Sequence, residues 1–314
     1  YEHGAGAYFA GGGVLQDCAV RDNINEYMTG GGIYCHQDGR IAGCTVRTNQ
    51  SRLGGAGIYL YGGGLIANSV VASNRVALSH KGGGIYCDNG GIVSNCVVRD
   101  HHESRGSGVY CKQGGLLMRC RIFGNSGGYG PGVYCDEGGI VQNSLLYGNS
   151  SSGNGGGAYC NEGGLLRQCT IAGNSAAWSG GGVYCNAGGT LQNTIVYGNG
   201  SDNLQVDPAG SATIEHCCSP GLAGSGNVAG DPGFAGAASH DYRLANNSPC
   251  VDAGKDLSAI LQQDFAGNPR PQDGDLDGSA EFDMGAYEAA IGDLPYPYVS
   301  HAGSNIVPYV SWAH

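Results

Sequence analysis

Three groups of residues in this chain carry side chains able to do chemistry. Towards the C-terminus Asp273, Asp275 and Asp277 alternate, followed by Gly278, Ser279, Glu281 and Asp283. Hard oxygen donors at this spacing, with glycine where the chain turns sharply, describe a calcium loop. Met284 stands where the bidentate glutamate of such loops usually falls. We therefore expect Ca2+ at Asp273, Asp275, Asp277, Ser279, Glu281 and Asp283, against the alternative of a solvated acidic turn.

Acid–base catalysis has two candidates. Glu137 and Glu162 lie one repeat apart beside Asp136, but the equivalent turns hold Gln37, Asn89, Gln113 and Ala187, which reads as a solvated turn. His101, His102 and Glu103 form the one dense histidine cluster. It lacks the HExxH spacing of a zinc site and falls in a variable loop, so these residues are expected to face water. No G-x-S-x-G elbow occurs, and the glycines are too dispersed for a phosphate loop. Sugar-cleaving sites need clustered acids with an Arg or Lys base, or paired acids flanking the bond. The chain is therefore expected not to be an enzyme.

The third group is the cysteines, fourteen in number, with no CxxC pair and no zinc-like His/Cys cluster. Such usage fits an oxidising compartment, and hence an extracellular or cell-surface location. Asn49, Asn149, Asn199 and Asn246 each head an N-x-S/T triplet and are candidate glycosylation sites.

The elements that position these groups follow from composition and repetition. Sixty-one glycines without a three-residue period and only ten prolines exclude collagen. Apolar residues at 41% and charged ones at 13% exclude a solvated coil. A net charge of −11 leaves no basic stripe for nucleic acid. No apolar run approaches the roughly 18 residues that would span a bilayer.

Repetition dominates residues 1–200. GGGIYC at Gly30–Cys35 returns as GAGIYL at Gly55, GGGIYC at Gly82, GSGVYC at Gly106, GPGVYC at Gly130, GGGAYC at Gly155 and GGGVYC at Gly180, after a degenerate GAGAYF at Gly4. Each copy adds a GG pair, an apolar pair, a small residue, a second apolar pair and a turn. That is three short β-runs in about 25 residues, too small a unit to bury its own apolar face. Stacking the copies buries all of them, so an all-β, single-stranded, right-handed parallel β-helix is expected.

Asn23, Asn49, Asn74, Asn125, Asn149, Asn174 and Asn199 recur in the turn, with Asp100 in the fourth copy, and predict an asparagine ladder. The anchor cysteines Cys35, Cys87, Cys111 and Cys160 have partners in their own copies at Cys44, Cys96, Cys120 and Cys169. In-coil disulfides and a column of buried thiols are both open readings. After residue 200 the anchor stops, and 201–290 reads as irregular closing coils with the acidic loop, in which Cys250 pairs with Cys217 or Cys218. Residues 291–314 form an extended arm rich in Tyr296, Tyr298, Val299, Ile306, Val307, Tyr309, Val310 and Trp312.

The coils GGGVYC…GGxLxNC…GN resemble bacterial right-handed β-helix repeat proteins, and more loosely the repeats of polymorphic outer-membrane proteins. DPGF…DYRL…SPCVDAG followed by DFAGNPRP…DGDLDG…DMGAYE is similar to the closing module of the choice-of-anchor Q proteins, surface or secreted β-helices of environmental bacteria. Within this resemblance, PYVSHAGSNIVPYVSWAH looks like the opening of such a β-helix placed at the wrong end. This implies a structural surface module that assembles head to tail with copies of itself, the arm capping the open first coil of the next copy. A glycan-binding adhesin using Tyr61, Tyr129 and Trp178 is the second reading, and a polysaccharide lyase or hydrolase the third.

Overall fold

The computed structural model describes residues 3–77, 81–224 and 226–289, so the arm expected at 291–314 lies outside the described residues. Each repeat makes one winding. In the winding that opens at Gly130, Val133–Asp136, Ile140–Gln142, Leu145–Tyr147 and Ser150–Ser151 are strands. Every one pairs in parallel with its counterparts a repeat away: Tyr134 sits beside Tyr110 and Tyr159, and Val141 beside Leu117 and Leu166. The strands accumulate into sheets of nine, nine and eight, and the fourth, shorter wall comes in pieces of three and four. The fold is an all-β parallel β-solenoid of the right-handed type expected for such connections. The described residues contain no α-helix, only the 3-10 turn Ala237–Ser239.

Alternation builds the core. Val133, Cys135, Val141 and Leu146 point inward and are fully buried, and each such side chain contributes about 1.5–3 kcal/mol on burial. Tyr134 points to the opposite face of the first sheet. There Tyr34, Tyr59, Tyr86, Tyr110, Tyr134, Tyr159 and Tyr184 stack with ring centroids 4.7–5.3 Å apart. Their hydroxyls donate to acids on the same face, Tyr59 to Asp88 at 2.5 Å, Tyr184 to Asp207 at 3.0 Å, and Tyr110 to Asp136.

The anchor glycines are required by geometry. Gly130 has φ +54°, and a Cβ there would lie 2.7 Å from the Val133 carbonyl oxygen. A Cβ on Gly132 would lie 2.2 Å from the Gly157 carbonyl oxygen of the next winding.

The asparagines form a continuous buried ladder. Asn125 donates from both its backbone N and Nδ2 to Asn149 Oδ1, at 3.1 and 3.0 Å, and Asn149 and Asn174 repeat the pattern with Asn174 and Asn199. Asn23, Asn49 and Asn74 continue it at the other end. The left-handed residue of this turn is the one before the asparagine, Gly124, Gly148, Gly173 or Gly198, or Asp100 in the fourth winding, rather than the asparagine itself.

In the fourth winding the expectation that the histidines face water fails for His101, while His102 is exposed. His101 does not face water but is fully buried as a rung of the ladder. Its Nε2 accepts from Asn74 Nδ2 at 3.2 Å and its Nδ1 donates to Asn125 Oδ1 at 2.9 Å, which fixes the neutral Nδ1–H tautomer. An imidazole carries one donor and one acceptor on opposite sides, as an amide does, so it can replace asparagine without interrupting the chain of bonds. Burial holds its pKa down at about 4.

The fourteen cysteines are free thiols in this structure. Of the two open readings, in-coil bridges Cys35–Cys44, Cys87–Cys96, Cys111–Cys120 and Cys160–Cys169 or columns of thiols, the cysteines stand in two thiol columns. Members of each pair lie on different walls and take other partners. Cys87, Cys111, Cys135, Cys160 and Cys185 align in register along the first sheet, while Cys44, Cys96, Cys120 and Cys169 donate to carbonyls such as Ala42, Ser94, Met118 and Arg167 at 3.2–3.4 Å. Burial pushes the Cys96 thiol up to about 11 and that of Cys169 up to about 12, which keeps both protonated and unreactive.

Stacking continues past residue 200. Leu204–Asp207 and Thr213–Glu215 extend the first two sheets as a ninth winding without the anchor. The segment from Asp231 to Ala289 then turns back along the outside instead of coiling over the end. It packs on the third sheet, where Tyr242 and Ala286 meet Leu145 and Ala172, and Met284 meets Ile195. Those outward residues are apolar, and burying them against the flank is what draws the segment sideways.

Candidate functional site

The flank is held at one corner of the solenoid. Between the second and third strands each winding places a residue in the left-handed region, and Asn68, Asn95, Arg119, Asn143, Gln168 and Asn193 have φ between 46° and 53° there. The first two of these are exposed, and the last three are buried beneath the flank. Arg119 Nη1 donates to Gln263 Oε1 at 2.9 Å, Asn143 Nδ2 to the Gln263 carbonyl at 2.7 Å, and Asn193 Nδ2 to the Lys255 carbonyl at 2.8 Å. Arg270 Nη1 donates to Gln168 Oε1, and Thr170 Oγ1 accepts from the Ala286 amide at 3.0 Å.

Arg270 and Glu288 form a fully buried ion pair at 3.2 Å, a contact outside hydrogen-bond geometry. Burial raises the Glu288 carboxyl above its ordinary value while the charge of Arg270 opposes the rise, and burial raises Asp283 in the same way.

Two sites lie along this seam. The first is a cleft of about 430 Å³ between Arg119, Gln142 and Asn143 on the solenoid and Ile260, Leu261 and Pro269 on the flank. Of its lining residues, Arg119 and Asn143 each keep one polar atom, Nε and Oδ1, buried with no hydrogen-bond partner among the described residues. No pattern in the sequence marks this cleft, because its two walls are more than 110 residues apart.

The second is a carboxylate cluster in which one ligand oxygen each from Asp252, Asp273 and Asp275 lie within 4.8 Å of one another. Asp252 follows Cys250 and was not part of the expected set. Its Oδ2 accepts from the amides of Gly274 and Asp275, at 3.1 and 3.0 Å, which seats the acidic loop on it. Asp252 Oδ1 and Asp273 Oδ1 are buried and unpartnered. Such oxygens fit a hard divalent cation.

The remaining expected ligands do not join them. Asp283 is buried with both oxygens occupied by the Asp252 and Ala289 amides, while Asp277 caps the Ser279 amide and points along the exposed loop with Ser279 and Glu281. The reason is the turn at Leu276 and Gly278, both at positive φ, which carries the chain away after Asp275.

The acid–base candidates stay apart from these sites. Glu137 and Glu162 are exposed, and Glu137 accepts from Gln113 Nε2 at 2.9 Å. Burial opposes ionisation of Asp136, yet bonds from Tyr110 and Asn161 and the charge of Lys81 hold its carboxyl below the usual range. It serves the tyrosine column.

Three sequons are structural. Asn49, Asn149 and Asn199 are buried and spend Nδ2 within the ladder, so a glycan cannot attach, and Asn246 alone of the four is exposed. Among the expected adhesin aromatics, Trp178 and Tyr61 are exposed, while Tyr129 packs edge-on between Tyr159 and Trp178. Cys250 lies against Cys218, and Cys217 turns into the solenoid core. Tyr296, Tyr298, Val299, Ile306, Val307, Tyr309, Val310 and Trp312 lie outside the described residues.

No family model matches the chain, and neither does any curated protein. Among solved structures the crystal structure of pectate lyase Pel9A is similar, at 14% sequence identity over 87% of each chain with a TM-score of 0.43.

Proposed function

We propose that this chain is a structural, non-catalytic module of an extracellular surface fibre, joined head to tail, with residues 294–314 of one copy covering the first winding of the next. The observation that carries this reading is the rim of the first winding. Phe9, Leu15 and Cys18 point inward there and are partly exposed, whereas their counterparts Cys35, Ile41 and Cys44 in the next winding are buried to 1% or less. Tyr8, Ile24 and Tyr27 add exposed apolar surface, and among the described residues the strands Ala7–Phe9, Gly13–Gln16 and Ala19–Arg21 each pair on one edge only. An uncovered strand edge beside apolar side chains is a template for an added strand. Ala289, from which the arm continues, packs near Val251 at the opposite end of the solenoid, so a head-to-tail partner receives the arm naturally.

Sedimentation velocity over a range of concentrations, with negative-stain imaging, tests the proposal. The intact chain should form end-to-end assemblies, and deletion of 294–314 should return it to monomers. A monomeric intact chain, or a deletion variant that still assembles, overturns it. Within the same reading, Asp252, Asp273 and Asp275 would hold Ca2+, which supplies positive charge that ties the acidic loop to Asp252.

A further inference from the structure

We propose that Cys218 and Cys250 form a disulfide that clasps the flank to the end of the solenoid, and that they are the one redox-active pair among the cysteines. This goes beyond the fibre reading and does not depend on it.

The two residues meet from different parts of the chain. Cys218 belongs to the solenoid, where it bridges in parallel with Ile195 on one side and Val228 on the other, and its amide donates to the Thr194 carbonyl at 3.0 Å. Cys250 belongs to the flank, where its amide donates to Ser248 Oγ at 3.0 Å and its carbonyl accepts from the Met284 amide at 2.9 Å. Both are fully buried in one apolar cluster with Ile195, Leu244 and Met284, and their thiols hydrogen-bond each other. Cys217 alternates to the opposite face and packs in the solenoid core, away from the flank. Both backbones are pinned, so the two sulfurs are held side by side.

The column thiols do not share this arrangement. Cys87, Cys111, Cys135, Cys160 and Cys185 repeat one another by translation along the first sheet, and Cys18 with Cys44 and Cys96 with Cys120 do so in the second column. Side chains related by translation point the same way, with Cβ atoms about 4.8 Å apart, beyond the roughly 3.5–4.5 Å of a disulfide. Cys218 and Cys250 come from segments that no repeat relates, so their side chains can converge.

The oxidant is a disulfide, of low molecular mass or of a thiol oxidoreductase, and it acts while the chain folds, before the flank has closed over the pair. One cysteine, as thiolate, attacks a sulfur of that disulfide, forming a mixed disulfide and releasing one thiolate. The second cysteine then displaces the other, which closes the Cys218–Cys250 bond. Two electrons and two protons leave the cysteines, and the oxidant departs reduced to its thiols. The bond closes a loop of about thirty residues, which limits how far the flank can open from the solenoid.

Folding the chain with oxidised glutathione, then denaturing, alkylating and mapping its peptides without reduction, tests the assignment. A single disulfide, Cys218–Cys250, is expected, with every other cysteine alkylated. Protease cleavage within 231–289 should be at least about tenfold slower in this preparation than in one folded with reductant, the effect of a loop-closing bond on an opened segment. Cys250→Ser, which keeps a donor in the same place, should remove the difference between the two preparations. Both cysteines alkylated after oxidative folding, a bridge to Cys217, a disulfide within either column, or equal cleavage of the oxidised and reduced wild type would overturn the assignment.

Discussion

The two halves of the third sheet share one backbone and differ in what they present outward. In the early windings Arg21 and Arg47 are exposed and Arg99 is paired with Asp100, and no other described segment covers them. In the late windings Tyr147, Ala172 and Tyr197 occupy the equivalent positions, with Leu145 and Ile195 at the other outward position of their strands, and the flank packs over them. Arg121 marks the boundary, its guanidinium 5.7 Å from the Phe265 ring. Inward positions alone carry the solenoid, so outward positions are free to decide where a second layer attaches. The early half is accordingly held by stacking and the ladder, and the late half by these together with the flank.

The largest effect should come from Arg270→Ala, which leaves Glu288 buried without its partner and removes the bond to Gln168. Loss of about 3–5 kcal/mol from the flank is expected, seen as protease cleavage within 231–289 while the far-ultraviolet signal of the solenoid persists. A flank that stays protected would break the comparison.

Acid should act on the early half first. His101 is neutral and held at about 4 in the fold, below the ordinary histidine value near 6.5, so between those pH values the unfolded chain takes up a proton that the folded chain refuses. Stability is fully present above about pH 6.5 and falls by on the order of 3 kcal/mol as pH drops to about 4. Hydrogen exchange should show the windings around Asn74 and Asn125 opening before those under the flank, and His101→Asn should abolish the difference. Simultaneous opening of both halves in the wild type would argue against it.

Tyr147→Arg transplants early-face chemistry beneath the flank, where Tyr147 packs on His240 and Tyr242. A loosening of about 2 kcal/mol is expected, read as earlier proteolysis of 231–289 without a shift in the solenoid transition. The smallest effect should be that of Ca2+, about 1.4 kcal/mol at ten times its Kd, confined to the flank's melting step and absent in Asp252→Asn. Identical melting curves with calcium and with chelator would exclude the site.

Much of this architecture was legible in the residues. Tyrosine, asparagine and glycine recurring at 24–27 residues could stack only in register, so each fixed its neighbours one winding above and below. The ladder, the tyrosine column and the two lines of cysteines follow from that period, because a parallel stack copies its own register.

What lay beyond one period was decided by packing. His101 entered the ladder because Asp100 takes the left-handed place that Gly124, Gly148, Gly173 and Gly198 hold in their turns, which puts the rung on the residue after the Asp100 that the spacing suggested. Asp252 reached Asp273 and Asp275, Cys218 rather than Cys217 met Cys250, and the flank found Asn143 and Gln168 more than a hundred residues away. The ladder likewise consumed three sequons that a linear reading leaves open. Repetition encodes contacts that recur. A contact made once, between a repeating surface and a segment that does not repeat, depends on which outward side chains happen to be apolar and which polar atoms remain to be bonded, and those quantities exist only after the coils have closed.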